Sequence, residues 1–163
     1  MMERYLVVAA RIRQELEELE RVVARAERAI ATAKKRPEEQ DLYLDAAALN
    51  LHDFYTGLER IFRHIAGLVD RSVPDGPEWH RELMKQLGTD LPGVRPKVIS
   101  HGTLKALDVY LRFRHVVRNI YAFEFDPERI IDLVTRLESC FKDVQRELLA
   151  FAKFLDEVAN QPE

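Results

Sequence analysis

Apolar residues recur every three or four positions along most of the chain, which is the spacing of one buried helix face. The first such run extends from Glu3 to about Lys35. Its apolar members are Tyr5, Val8, Ile12, Leu16, Leu19, Val23, Ala26 and Ile30. Charged residues of both signs lie between them, including the i,i+4 pair Glu17 and Arg21, and they indicate a solvated face. The pattern predicts a first long helix.

Proline and glycine divide the middle of the chain. The first helix ends at Arg36-Pro37, because the residue before a proline avoids helical backbone. Renewed apolar periodicity predicts a second long helix over about Glu38 to Arg71. A proline-rich turn at 74–77 then leads to a short helix predicted over Glu78 to about Leu87, and an ordered surface loop follows over 88–100.

Two further long helices complete the predicted fold. The periodicity predicts one over about His101 to Phe123 and another over about Pro127 to Val158. Asp126 caps the last helix and Pro127 opens it. The expected fold is therefore all-α, an antiparallel bundle of four long helices plus one short helix, and we expect residues 1–163 to form a single helical domain.

The composition agrees with a soluble helical protein. Of the 163 residues, 47% are hydrophobic and 33% are charged, while glycine (6) and proline (7) are scarce. No apolar run reaches the ~18 residues that span a bilayer, and the N-terminus lacks the features of a signal peptide. We therefore expect a cytoplasmic protein without a membrane partner. The net charge of −3 argues against broad coating of nucleic acid, so any RNA site should be small.

The cysteine and most histidines give no sign of a catalytic or metal site. Cys140 lies in an apolar helical stripe and is expected to be a buried small hydrophobe. Four histidines, together with Asp53 and Glu59, lack the spacing of metal ligands, so we expect neither a metal ion nor another cofactor. The four are His52, His64, His80 and His101. Trp79-His80 is expected to anchor the short helix, with the rim of a base-stacking pocket as the alternative.

Three basic residues lie near the start of the fourth helix: Arg95, Lys97 and Lys105. Their simplest interpretation is solvated surface charge. The alternative is a basic lip on an RNA groove.

A polar and cationic cluster occupies the second half of the predicted fourth helix, from Arg112 to Tyr121. At about 100° per residue, three of its side chains share one face and two form a neighbouring i,i+4 row. The face holds Arg114, Arg118 and Tyr121, and the row holds His115 and Asn119. A purely structural helix does not require this concentration of polar groups.

Two arginines one turn apart repel each other unless an anion lies between them. A phosphate suits that place, because a planar guanidinium binds it through two parallel hydrogen bonds. A carboxylate from a neighbouring helix, such as Asp53 or Glu59, suits it as well. The spacing therefore leaves a structural ion-pair network and a phosphate site both open.

The run Phe113-Arg114-His115 through Tyr121, within a helical bundle of this length, resembles the HEPN superfamily and within it the HepT-like toxin branch. The resemblance covers most of the chain. It implies a metal-independent endoribonuclease that acts as a homodimer, with the motif helices of two subunits facing each other across a cleft. It also implies a partner, a small nucleotidyltransferase antitoxin that attaches nucleotides to the motif tyrosine.

The family signature maps residue by residue onto the cluster. Arg114 takes the arginine position, His115 the polar position after it, Asn119 the histidine position and Tyr121 the tyrosine position. The resemblance then implies cleavage of an RNA, such as a tRNA or an mRNA, by 2′-hydroxyl attack. Arg114 and Arg118 would bind and stabilise the phosphate, His115 would shuttle the proton, and Asn119 would orient the phosphate or ribose.

Asn119 departs from the family signature, since an asparagine cannot exchange a proton near neutral pH as histidine does. The alternative is therefore a catalytically inactive nucleotide- or RNA-binding partner of a nucleotidyltransferase. A scaffold bundle, in which Arg114 and Arg118 pair with buried acids, is the third interpretation.

Overall fold

Six α-helices account for most of residues 2–162, the part of the chain that the computed structural model describes, and no β-strand occurs within it. They are α1 (Met2–Lys35), α2 (Gln40–Ile65), α3 (Trp79–Leu87), α4 (His101–Asn119), α5 (Pro127–Thr135) and α6 (Leu137–Ala159). The all-α prediction is confirmed. Among these helices, none has an apolar stretch of the length that crossing a membrane requires.

The first two helices form an antiparallel hairpin, joined by the turn at Arg36 that Pro37 predicts. Two polar contacts show the register between them. Arg60 donates to Glu15 at 2.8 Å, and Arg11 contacts His64 at 3.0 Å. Position 60 of α2 thus meets position 15 of α1, and position 64 meets position 11, as expected for two antiparallel helices.

The remaining helices pack on this hairpin. α6 lies against α1, and α4 lies against both α2 and α6. One cluster of buried apolar side chains joins them, and Phe54 at its centre meets Tyr110 and Phe141 edge to face, at 5.4 and 6.3 Å between ring centroids. Cys140 is buried, as predicted, and burial raises the pKa of its thiol to about 12.

The prediction of one unbroken helix from Pro127 to Val158 is wrong, because the chain divides into α5 and α6 at Arg136. The Tyr110 hydroxyl donates to the Leu133 carbonyl at 2.8 Å. In an uninterrupted helix that carbonyl would accept the amide of Leu137. A tertiary contact therefore breaks a helix whose sequence carries no break signal.

Arg95 anchors the loop between α3 and α4 to the end of α2. The chain leaves α2 through a π-helical turn, Ala66–Asp70, and the Asp70 carboxylate accepts from Arg95 at 2.6 and 2.7 Å. The remaining guanidinium hydrogens go to the backbone carbonyls of Gln86, Thr89 and Pro96. Both sequence interpretations of Arg95, as solvated charge or as the lip of an RNA groove, are wrong, since its side chain is completely buried.

Candidate functional site

An open cleft of about 730 Å³ lies between the start of α3 and the second half of α4. The segment before α3, α3 itself, α4 and the first turn of α5 all contribute to its walls. The lining residues are Pro77, Glu78, His80, Arg81, Leu111, Arg112, Arg114, His115, Val116, Arg118, Asn119 and Arg129. Four of the sequence-predicted site residues, Arg114, His115, Arg118 and Asn119, are therefore brought together.

The cleft is strongly basic although the chain is acidic overall. Five of its lining residues are arginines and one is an acid, against a net charge of −3 for the whole chain. Asp108 partly neutralises two of the arginines, pairing with Arg81 at 2.7 Å and Arg112 at 2.5 Å. Arg118 and Arg129 form no ion pair within residues 2–162. The local field thus favours an anion, such as a phosphate, in the cleft.

A cap at the start of α4 and core packing along it hold the helix in place, and this decides which side chains reach the cleft. Ser100 caps the helix by accepting from the amide of Thr103 at 3.3 Å, and Glu147 on α6 holds both residues. Further along, Tyr110 and Phe113 are buried in the core. Because those positions face inward, the polar residues near the end of the helix are left to face the cleft.

His115 and Asn119 lie one turn apart on the exposed side of α4, as predicted. The Asn119 amide nitrogen donates to the His115 carbonyl at 2.6 Å and lies 3.3 Å from Nδ1 of the same residue. The amide oxygen of Asn119 accepts no hydrogen bond within residues 2–162. This contact holds Asn119 against its own helix and orients the His115 ring.

Arg114 belongs to a partly buried cluster with Glu59 of α2 and His80 of α3. His80 Nδ1 lies 2.9 Å from Glu59 Oε2, and Arg114 Nη1 lies 3.3 Å from His80 Nε2. Arg114 Nε is 3.9 Å from the same Glu59 oxygen, within ion-pair range but too far for a hydrogen bond. Glu59 is thus the carboxylate partner that the sequence left open, while Asp53 forms no ion pair with either arginine.

The hydrogen-bond chemistry of this cluster fixes the tautomer of His80. A carboxylate accepts but does not donate, so Nδ1 of His80 carries the hydrogen in its contact with Glu59. In the neutral ring, Nε2 then holds the lone pair and accepts from Arg114. The cluster is therefore a chain of two hydrogen bonds: Arg114, at the cleft, donates to His80, and His80 donates to the buried carboxylate of Glu59.

Two groups on α2, the buried Tyr55 and the half-buried His52, respond to the charges of this cluster. Burial raises the pKa of Tyr55, with the charge of Glu59 adding to the effect. Burial lowers the pKa of His52, and the positive charges of Arg114 and Arg118 lower it further, while Asp53 and Glu59 oppose them. The imidazole of His52 therefore favours its neutral form.

The family model described as HepT-like protein matches residues 46–155 of the chain, which include every residue that lines the cleft. The chain belongs to the HepT-like protein family. The predicted resemblance to the HEPN superfamily and its HepT-like branch is thereby confirmed. Comparisons with curated proteins and with solved structures gave no match.

In this member of the HepT-like family, Tyr121 does not lie on the helix that carries Arg114. The prediction that Tyr121 shares a helical face with Arg114 and Arg118 is wrong, because α4 ends at Asn119 and Ile120 is extended. Tyr121 is 71% exposed, stacks on Phe123 at 5.4 Å between ring centroids, and does not line the cleft. No glycine or proline marks this end in the sequence.

Packing explains why α4 ends at Asn119 and not near Phe123, as the sequence predicts. Phe125 returns to the bundle and its ring lies 5.9 Å from that of Phe113. A helix continuing to Phe123 would carry the chain away from this contact and from the start of α5. Tertiary packing therefore decides where Tyr121 lies.

Sequence reasoning missed several residues of the cleft. Arg81 and Arg129 line it, and His80 contacts Arg114 across 34 positions of sequence. Arg112 also lines the cleft, and the sequence placed it in the cationic cluster without giving it a role. The sequence did single out Trp79-His80, but as an anchor of the short helix. Helical periodicity relates residues of one helix only, so it contains no signal for a contact between α3 and α4.

Proposed function

We propose that the chain is a HepT-like endoribonuclease, the toxin of a toxin–antitoxin pair, which cleaves RNA by attack of a 2′-hydroxyl on the adjacent phosphodiester. The observation that supports this function is the arginine-rich cleft, in which Arg114, Arg118 and His115 lie together. Negative charge develops on the phosphoryl oxygens during such an attack, and fixed guanidinium groups stabilise it. The arginines thus supply the charge stabilisation that a metal ion supplies in other nucleases.

The residues of α4 have separate roles in this proposal. Arg114 and Arg118 hold the scissile phosphate, since both guanidinium groups have hydrogen-bond donors that face the cleft. His115 transfers a proton. Asn119 orients the phosphate or ribose through its amide oxygen, because its nitrogen is already bonded to the His115 carbonyl.

A basic groove continues from the cleft along α3 and α4 and suits the rest of an RNA strand. It shares Arg81 and Arg112 with the cleft. It also holds Lys85, His101 and Lys105, together with the carboxylate of Asp108 that pairs with the two arginines. Phosphate contacts along such a path position a nucleic acid without reading its sequence, as expected for binding of tRNA or mRNA. In this respect Lys105 acts as the basic lip considered from the sequence.

We further propose that the protein works as a cytoplasmic homodimer, with α4 of each copy facing the other across the cleft, beside a nucleotidyltransferase antitoxin. His115, Arg118 and Asn119 are exposed at the end of α4, where a second copy would meet them. The side chain of Tyr121 is accessible, as addition of a nucleotide to its hydroxyl requires.

A second candidate function is an inactive RNA- or nucleotide-binding partner of a nucleotidyltransferase. The observation that favours it is Asn119 itself, which stands in the histidine position of the family signature and cannot exchange a proton. In this case the arginines of the cleft bind phosphate but no bond is broken.

Incubation of purified protein with tRNA and total RNA in the presence of a chelator separates the two functions. Arg114→Ala is the test variant. Arg146→Ala is the matched control, since Arg146 is exposed on α6, lies outside the cleft, and among the described residues forms an ion pair with Asp143 alone, at 3.1 Å. The ends of the fragments identify the chemistry.

An active enzyme yields 2′,3′-cyclic phosphate and 5′-hydroxyl ends with both the wild type and Arg146→Ala. Loss of Arg114 reduces cleavage by about 100-fold or more, as removal of a main charge-stabilising group does. Binding without cleavage supports the inactive partner. If the protein neither binds nor cleaves RNA, both proposed functions are contradicted.

A further inference from the structure

His80 on α3 has the surroundings of an oriented proton acceptor. Its ring bridges Glu59, from α2, and Arg114, from α4, and it lines the cleft. Trp79 packs on the ring at 3.5 Å between centroids, and Arg63 lies over the Trp79 ring at 4.9 Å. Contacts from several directions thus fix a ring whose neighbours are charged.

The hydrogen bond to Glu59 aims the reactive nitrogen of His80. Glu59 is only 8% exposed and accepts from Nδ1, which leaves the lone pair of Nε2 directed to Arg114. A carboxylate in this position also stabilises the imidazolium that forms when Nε2 takes a proton. The same arrangement of carboxylate and histidine serves proton transfer in other hydrolytic enzymes.

A phosphate bound by the guanidinium of Arg114 would lie close to Nε2 of His80, because Nη1 of Arg114 is 3.3 Å from that nitrogen. Arg114 has five N–H donors, and one hydrogen bond, to His80, is formed within residues 2–162. Its Nε is buried and without a hydrogen-bond partner there. A phosphodiester bound to the other donors brings the neighbouring ribose hydroxyl close to His80, and it draws the Nη1 hydrogen away from Nε2.

We propose that His80 is the general base of the reaction and that Glu59 is its positioning residue, an inference that rests on the proposed ribonuclease function. The O2′–H bond breaks and its proton moves to Nε2 of His80, while the O2′–P bond forms and the P–O5′ bond breaks. His115, in its protonated form, gives a proton to the departing 5′-oxygen. Solvent then returns the proton from His80 to His115.

This assignment accounts for Asn119. The side chain in the signature's histidine position is an amide bonded to the His115 carbonyl at 2.6 Å, so it transfers no proton. Two histidines nevertheless line the cleft, one from α3 and one from α4. The proton acceptor is supplied by a different helix from the one that carries the signature.

The decisive experiment compares the cleavage rates of His80→Asn and His115→Ala on two short RNA substrates. One has a natural scissile phosphodiester, and the other has sulfur in place of its 5′-bridging oxygen. Asparagine at position 80 keeps a donor for Glu59 but lacks an accepting ring nitrogen. We expect each variant to lose about 10²–10⁴-fold in rate on the natural substrate. A 5′-thiolate leaves without being protonated. The sulfur substrate should therefore restore the cleavage rate of His115→Ala, but not that of His80→Ala or His80→Asn.

Two further measurements separate catalysis from folding. RNA affinity and the melting temperature of His80→Asn should equal those of the wild type, and the rise of rate with pH on the acidic side should disappear. Glu59→Gln should lower kcat by a larger factor than it changes KM, because His80 loses the carboxylate that holds its Nδ1 hydrogen, while Arg114, 3.9 Å from that carboxylate, keeps its own N–H donors.

The outcomes are distinct. Wild-type rates for His80→Asn, with Arg114→Ala inactive, overturn the role of His80 and leave the proposed function standing. If the sulfur substrate restores the cleavage rate of His80→Asn, His80 is not the general base. Absence of cleavage by the wild-type protein overturns this inference and the proposed function together.

Discussion

Arg95 and Asp70 form two parallel hydrogen bonds, of 2.6 and 2.7 Å, between side chains that are 0% and 1% exposed. The pair ties the loop before α4 to the end of α2 and so holds α3 between them. Removal of one partner leaves an uncompensated buried charge. We expect Arg95→Met or Asp70→Asn to lower the free energy of unfolding by about 3–5 kcal/mol, measured by urea denaturation.

The double variant Asp70→Leu/Arg95→Met is the control for this pair. Because it removes both charges, it should recover part of the stability that either single change loses. Recovery is incomplete because the backbone carbonyls of Gln86, Thr89 and Pro96 lose their donor. Losses that simply add would show that the two side chains act independently.

Gly57 lies where α2 packs closely against α1. A Cβ atom at this position would lie 2.6 Å from Leu19 Cδ2, in a packed interface. Gly57→Ala should therefore lower the free energy of unfolding by about 1–3 kcal/mol. Gly102→Ala, in α4 with open space around the position, should leave stability unchanged or raise it slightly. Equal effects of the two substitutions would contradict the close packing.

The basic groove makes RNA binding sensitive to salt. Arg112 and Lys105 are exposed and line it. Loss of either should weaken the binding of every RNA to a similar extent and reduce the slope of log affinity against log salt by about 0.7 per lost phosphate contact. Fluorescence anisotropy at several salt concentrations measures both quantities, with Arg146→Ala as the control. An unchanged slope for Arg112→Ala would place the RNA elsewhere.

Tyr121 should be dispensable for cleavage. It lies beyond the end of α4 and does not line the cleft, so Tyr121→Phe should cleave RNA at the wild-type rate. The same change should abolish the mass increase that a nucleotidyltransferase partner and a nucleoside triphosphate produce, since the accepting hydroxyl is gone. Loss of cleavage in Tyr121→Phe would show instead that the Tyr121 hydroxyl takes part in the reaction.

His52 makes the folded state sensitive to mild acid. Burial lowers its pKa, so below the ordinary histidine value of about 6.5 the unfolded chain binds a proton that the folded chain resists. The free energy of unfolding should therefore fall as the pH is lowered from about 7 to 5. His52→Gln should flatten this dependence, and His101→Gln, at an exposed position, should not. His64, whose pKa is also lowered by burial, leaves part of the slope in place.

The sequence alone predicts the helices where the local signals are strong. The apolar repeat of α1, the proline at position 37 and the Asp126-Pro127 start of α5 act within a few residues, and the structure has each of them where the pattern puts it. The same holds for the row of His115 and Asn119, since a helix places neighbours at i,i+4 without help from the rest of the fold.

The tertiary structure decides the features that depend on distant contacts. The Tyr110 hydroxyl divides α5 from α6, and the return of Phe125 to the core ends α4 before Tyr121. The buried Arg95 and the contact of His80 with Arg114 join segments that lie far apart in the chain. Helical periodicity carries no information on which faces of different helices meet, because that choice depends on how all the side chains fill one core. The sequence by itself therefore determined where the long helices begin and that His115 and Asn119 lie one turn apart on α4. Packing decided where α4 and α5 end and which histidine, carboxylate and arginine meet in the cleft.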